Sequence, residues 1–188
     1  MEDRILLDAD IREPLFDYLE LYYGKVRVLE EKVTGKARAD VVMVLPDKVC
    51  GIEIKSDADS YTRLAAQVRN YDKYYDENYL IVGSTHAHHA AEHVPEYWGI
   101  ISVELIKGEV DFYRIREAKT NPKAKLKNKM SLLWKSEFSH ILAENKMPKY
   151  AQKSKKFIAE KLIGKIPEET LHIQISEELF ERDYTIYE

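Results

Sequence analysis

Over residues 9–22, Ile11, Leu15, Tyr18, Leu19 and Tyr22 recur at three- and four-residue intervals, which predicts an amphipathic helix starting behind Asp8 or Asp10 and stopping at Gly24. The period then changes. Residues 25–33 alternate or run apolar with β-branched side chains, Thr34-Gly35-Lys36 reads as a turn, 39–45 as a strand, Pro46-Asp47-Lys48 as a second turn and 49–55 as a third strand. Two tight connections make these three strands an antiparallel meander. Helical spacing returns over 59–75 through Tyr61, Leu64, Ala65, Val68 and Tyr71. A short strand at 79–83, a helix at 87–96 and two strands at 99–105 and 110–115 follow, the last pair separated by Lys107-Gly108. Beyond them a lysine-rich link at 119–129, containing Asn121-Pro122, leads to helices at about 131–144 and 149–163 and to an acidic tail from Ile166.

The order αβββαβ followed by an extension predicts an α/β fold with a mixed central sheet flanked by helices and a C-terminal helical extension. With 188 residues, 45% of them hydrophobic, the chain has material for one main core plus a small appended element. The expected division is a main domain over 1–117 and a lysine-rich helical extension with an acidic tail over 118–188. No run approaches the ~18 apolar residues of a membrane span, and the first ten residues are acidic rather than signal-like, so a cytoplasmic protein without a membrane partner is expected. Cys50 is the only cysteine and falls in an apolar strand, where a buried, inert thiol is expected.

The net charge of -4 conceals a strong asymmetry. Between Arg114 and Lys165 there are fifteen Lys and Arg against four Asp and Glu, whereas the rest of the chain has fourteen against twenty-nine. A basic module joined to an acidic one points to a phosphate-bearing polymer as partner, and a solvated lysine-rich helical face is the alternative. No glycine-rich phosphate loop of either common kind occurs among the seven glycines, which argues against a nucleotide-binding domain.

Asp40 opens the second strand, and Glu53 and Lys55 stand two apart on the third, so the pleat turns Glu53 and Lys55 to one face. Charges interrupting a run as apolar as Val49, Cys50, Ile52 and Ile54 are costly unless paired or bound to a metal. Two carboxylates suit a divalent ion such as Mg²⁺ or Mn²⁺, and an adjacent lysine suits the orientation of a water or the stabilisation of charge on a phosphate.

Asp40, twelve intervening residues and then Glu53-Ile54-Lys55, set on strand, turn, strand and helix, resembles the PD-(D/E)XK nuclease superfamily. The proline of that pattern is replaced by Ala39. The resemblance implies a restriction-endonuclease-like core, a Mg²⁺- or Mn²⁺-dependent deoxyribonuclease activity, DNA as the partner and a homodimer as one assembly. Gln67 and Tyr71, four apart on the following helix, resemble the Gln-x-x-x-Tyr motif of the RecB-like branch, which implies that both line the site. The reading without that motif makes Tyr71 a core aromatic and Gln67 a solvated residue. A longer series, Ile11-Arg12, Arg38-Ala39-Asp40, Gly51 through Asp57, Arg63-Leu64, Gln67, Tyr71, Pro95, Trp98 through Ile101 and Leu133 through Glu137, resembles the sce7726 family and the related MmcB-like DNA-repair group. A catalytically silent nucleic-acid-binding or assembly module on the same fold is the alternative function.

Glu13 on the first helix and Glu31 late in the first strand are the candidates for an additional metal ligand. Asp57 is expected to cap the next helix, in competition with Asp59 and Ser60, or to touch the metal. Arg38 and Arg63 are candidates to meet substrate phosphates or to pair with the site carboxylates. His86, His88, His89 and His93 read as a polar loop and helix start, since no second cysteine and no His-Glu-x-x-His pattern accompanies them. Trp98 and Trp134 sit in apolar neighbourhoods and are read as core residues.

Overall fold

The first helix, α1 (Asp8–Tyr23), buries Ile11, Leu15 and Leu19 as a single stripe. Its start is held by the Asp10 carboxylate, which accepts the Leu7 N–H at 3.0 Å, and its end by Gly24, whose φ of 78° lets the chain turn away. The computed structural model describes residues 5–34 and 37–182, the side chains of Glu31, Lys32, Thr34 and Ala37 excepted.

Among the described residues six strands follow one another across one sheet in chain order: β1 (Arg27–Thr34), β2 (Ala37–Val44), β3 (Val49–Lys55), β4 (Glu77–Gly83), β5 (Gly99–Ile106) and β6 (Glu109–Arg116). The first three pair antiparallel, β3, β4 and β5 are parallel, and β6 returns antiparallel on β5. Parallel strands are covered on both faces, and every residue of β3 is buried.

One face of the sheet, through Val41, Met43, Ile52, Ile54, Ile81 and Val103, packs with the apolar stripe of α1. On the other face lie α2 (Leu64–Tyr71), α3 (Ala90–His93), α4 (Leu126–Met130), α5 (Lys135–Glu144), α6 (Lys155–Ile163) and α7 (Glu168–Phe180). Their apolar residues join Val42, Val44, Leu80 and Val82 of the strands in one hydrophobic cluster. The architecture is therefore α/β, a six-stranded mixed sheet flanked by helices. The helices beyond residue 117 build their core together with the sheet.

Several helices differ in extent from the expectation. The 59–75 segment is a single 3-10 turn, Tyr61–Arg63, followed by the eight residues of α2, and the 87–96 segment reduces to the four residues of α3. The segment at 149–163 becomes helical only at Lys155, after Tyr150 with φ 48° and with Ser154 as N-cap accepting the Phe157 N–H. The stretch from Ile166, read as a tail, contains α7, whose Leu171, Ile175 and Leu179 are buried at helical spacing.

Two buried charge clusters fix the helical layer. Lys129, 1% exposed, donates to Asp76 Oδ2 at 2.6 Å, to Ser176 Oγ at 3.0 Å and to the His172 carbonyl at 3.1 Å, tying α4 and α7 to the start of β4. Asp76 also meets His172 and accepts the Val49 N–H, and against the effect of burial His172 first, then Lys129 and the Val49 N–H, hold its carboxyl below the ordinary value. Arg182 makes a two-pronged pair with Glu137 and donates to the Leu132 carbonyl, joining the end of α7 to the start of α5. Trp98 is fully buried and donates Nε1–H to Asp72, and Cys50 is a buried free thiol that burial pushes well above its ordinary pKa.

Candidate active site

The pairing of β2 with β3 runs from Val44↔Val49 to Val41↔Ile52. Next along β2, the Asp40 carboxylate accepts the Ile54 N–H through Oδ2 at 2.9 Å, so a side chain satisfies this backbone donor of β3. This places one acid against the strand that carries Glu53 and Lys55.

Glu53 and Lys55 project from β3 toward α2. Glu53 is wholly buried and Lys55 nearly so. Lys55 Nζ and Gln67 Nε2 both donate to Glu53 Oε1, and the Tyr71 hydroxyl lies 2.8 Å from Oε2 and 3.2 Å from the Ile52 carbonyl. The same hydroxyl accepts the Asp40 N–H at 3.1 Å, so Tyr71 touches both acidic strand positions. The five residues Asp40, Glu53, Lys55, Gln67 and Tyr71 are thus brought together, two strands and one helix contributing.

Gly51 makes that approach possible. A Cβ there would stand 2.3 Å from Tyr75 Cδ2 and 2.6 Å from Tyr71 Cδ1, so only a bare Cα lets Tyr71 of α2 and Tyr75 of the segment after it lie on β3. Tyr71 then packs edge-on to Tyr75 and at a tilt to Trp98, with its hydroxyl 2.8 Å from the Glu53 carboxylate.

Electrostatics follow from this burial. Removal from water, reinforced by the negative charge of Asp40 and opposed by Lys55, raises the Glu53 carboxyl from 4.5 to about 7. Burial also raises Asp40, against the pull of the Ile54 N–H and of Lys55. Burial and the neighbouring Glu53 push the Tyr71 hydroxyl well above its usual range, so it acts as a neutral donor. A divalent cation beside Asp40 and Glu53 would reverse the electrostatic deficit of both carboxylates.

Helix α1 adds Arg12, whose guanidinium donates to the Asp40 carbonyl at 3.1 Å and to Asp8 at 2.7 Å and reaches Glu30 at 3.4 Å. Asp8 thereby stands near enough for its charge to raise Asp40. Asp8, expected from the sequence as a helix cap, is instead the first residue of α1, and its i, i+4 spacing from Arg12 is the signal for this role. Glu13 is exposed, and the Glu31 side chain lies outside the described residues.

The remaining candidates have other surroundings. Arg38 and Arg63 are exposed. Asp57 accepts from Thr85 N–H at 3.0 Å and from its hydroxyl at 2.5 Å, which joins the exits of β3 and β4, while Asp59 accepts from Ser56 N–H and hydroxyl. The expected cap is not formed by Ser60 either, which makes no side-chain capping bond. His86 bonds the Asp59 carbonyl, His89 meets Glu92 and the His93 ring lies 4.1 Å from that of Tyr61.

Among the described residues no group of three or more His, Cys, Asp or Glu is arranged to hold a metal. A Mg²⁺ ion asks for less, being held by one or two carboxylates with waters and substrate phosphates completing its shell. A carboxylate has about four lone-pair positions, and Glu53 commits two on Oε1 and one on Oε2. Asp40, which spends one position of Oδ2 on the Ile54 N–H, and Glu53 Oε2 keep lone pairs in reserve, so these two carboxylates would be the donors to such an ion.

A family model described as bacteriophage P4 protein cII matches residues 6–185. The chain belongs to the bacteriophage P4 cII family. That match takes in α1, the whole sheet and the helices through α7, so the site and the helical layer belong to one family unit. No curated protein and no solved structure matches the chain.

Proposed function

We propose that this member of the P4 cII family is a metal-dependent nuclease that hydrolyses phosphodiester bonds in DNA, on a core of the restriction-endonuclease kind. The observation that carries the reading is the burial of Glu53 beside Asp40 with Lys55, Gln67 and Tyr71 all directed at it. An amide, a phenol and an amine on one strand carboxylate fix its orientation, as a site that presents its acid to a ligand requires.

Asp40 and Glu53 would hold Mg²⁺ or Mn²⁺, which supplies Lewis-acid stabilisation of charge on a phosphate and a more acidic bound water. Lys55 keeps its ammonium beside Glu53, where it orients the attacking water by hydrogen bonding and offsets negative charge growing on the phosphoryl oxygens. Gln67 and Tyr71 fix the Glu53 carboxylate, and Arg12 fixes the backbone of Asp40.

The test is incubation of the purified protein with circular single-stranded, supercoiled and linear DNA in Mg²⁺, Mn²⁺ or chelator. Cleavage confined to the metal arms and lost in Lys55→Ala and Asp40→Ala, with their folded circular dichroism retained, is the expected result. Equal cleavage by Lys55→Ala would remove the assignment. One observation favours a catalytically silent nucleic-acid-binding module instead: Glu53 Oε1 already accepts from both Lys55 and Gln67. DNA binding with no cleavage under any metal would select that reading.

A further inference from the structure

Away from the carboxylate site, α4, α5 and α6 enclose a cavity of about 220 Å³. Met130, Phe138 and Ala159 line it, all three buried, and Lys127, Lys155 and Lys156 stand around it, all three exposed. Lys127 spends one donor on Glu160 at 3.0 Å and Lys155 one on the Leu133 carbonyl at 2.5 Å. An ammonium has three donors, so each of these keeps two. Positive charge also extends past the cavity, since Lys153 and Lys161 lie 5.4 Å and 5.3 Å from the centre of the Phe157 ring. An apolar hollow beside a run of ammonium groups complements a ligand with a small apolar body and negative charges repeating on either side of it.

We propose that this cavity receives one unstacked base of a single-stranded DNA segment, with the flanking phosphates on Lys127, Lys155 and Lys156. The repeat of positive charge favours a polyanion over a single-headed lipid, because one carboxylate would use only part of the rim. The apolar lining favours a single strand over a duplex, whose bases are stacked and cannot enter. The inference deepens the nuclease reading, on which it rests for the choice of polymer, by naming the form of DNA taken.

The experiment measures binding of a fluorescent 12-nucleotide single strand, the matching blunt duplex and an abasic deoxyribose-phosphate chain of equal length, all in chelator so that no cleavage occurs. Two variants accompany the parent: Lys156→Ala at the rim, and Ser131→Phe, which places a ring at the mouth from an exposed position that also borders the cavity. The single strand should bind more tightly than the duplex and about 5- to 100-fold more tightly than the abasic chain. Ser131→Phe should erase the difference between single strand and abasic chain. Lys156→Ala should lower the slope of log affinity against log salt by about 0.7. Equal binding of duplex and single strand, parent-like behaviour of both variants, or displacement of the strand by oleate with oleate binding lost in Ser131→Phe, would overturn the proposal. Cleavage is read separately: strand binding lost in the variants with no metal-dependent cleavage by the parent retains the pocket and removes the nuclease, whereas cleavage with unaffected variants does the reverse.

Discussion

Replacing Glu53 by Gln keeps the shape of the side chain and removes its titration. In the folded protein the carboxyl is raised from 4.5 to about 7 by burial and by Asp40, so the folded chain binds this proton more tightly than the unfolded chain does. A group shifted in that direction contributes stability that is fully present below pH 4.5 and is lost as the pH climbs to about 7. The difference corresponds to about 3 kcal/mol across that window. Urea unfolding followed by circular dichroism from pH 4.5 to 8.5 in chelator should therefore show the parent losing about 3 kcal/mol more than Glu53→Gln. The offset between the two proteins is not the readout, because the variant also leaves the Lys55 ammonium without its carboxylate partner. Only the slopes are compared. Adding Mg²⁺ at pH 8 should restore stability to the parent by mass action and leave Glu53→Gln unchanged. Parallel pH profiles, or equal stabilisation of both proteins by Mg²⁺, would refute the reasoning that this acid is strained by burial and relieved by a cation.

Gly51→Ala inserts a methyl 2.3 Å from the Tyr75 ring, so α2 must move away from β3. The urea midpoint should fall by an amount equivalent to about 1–3 kcal/mol, and DNA cleavage should fall further than the loss of folded protein accounts for because Tyr71 leaves Glu53. An unchanged midpoint would mean that the tyrosines do not need that contact. Lys129→Ala removes the ammonium from Asp76, which keeps the Val49 N–H and His172, and should destabilise the protein by about 1.5–3 kcal/mol. A loss below 1 kcal/mol by urea titration would show that α4 and α7 are held to the sheet by apolar packing alone.

The meander was legible because its period of two and its turn residues sit in the same places, and once β3 was recognised the joint direction of Glu53 and Lys55 followed from the pleat. Gln67 and Tyr71 needed the helix as well, and their four-residue spacing gave it. What stayed hidden depends on partners distant in the chain. Lys129 looked like one more member of a lysine-rich link, yet it is buried against Asp76, fifty-three positions earlier. In α7 the apolar spacing of Leu171, Ile175 and Leu179 was present, but Glu168, Glu169, Glu177 and Glu178 around it drew attention to charge. Asp8 was seen as a local cap, because only the folded chain shows Arg12 leaning from it toward Asp40. Helices come out shorter than the apolar pattern predicts where positive-φ residues and short 3-10 turns interrupt it.

The single hydrophobic cluster beneath α2 and α4 to α7 has a consequence for how such a chain can change over time. Ammonium groups that face water away from the cavity rim can be gained or lost one by one, since the cluster below does not rest on them. Shortening the chain after β6, by contrast, would bare the underside of the very sheet that carries the acids, so the later helices and the carboxylate strands must be inherited together.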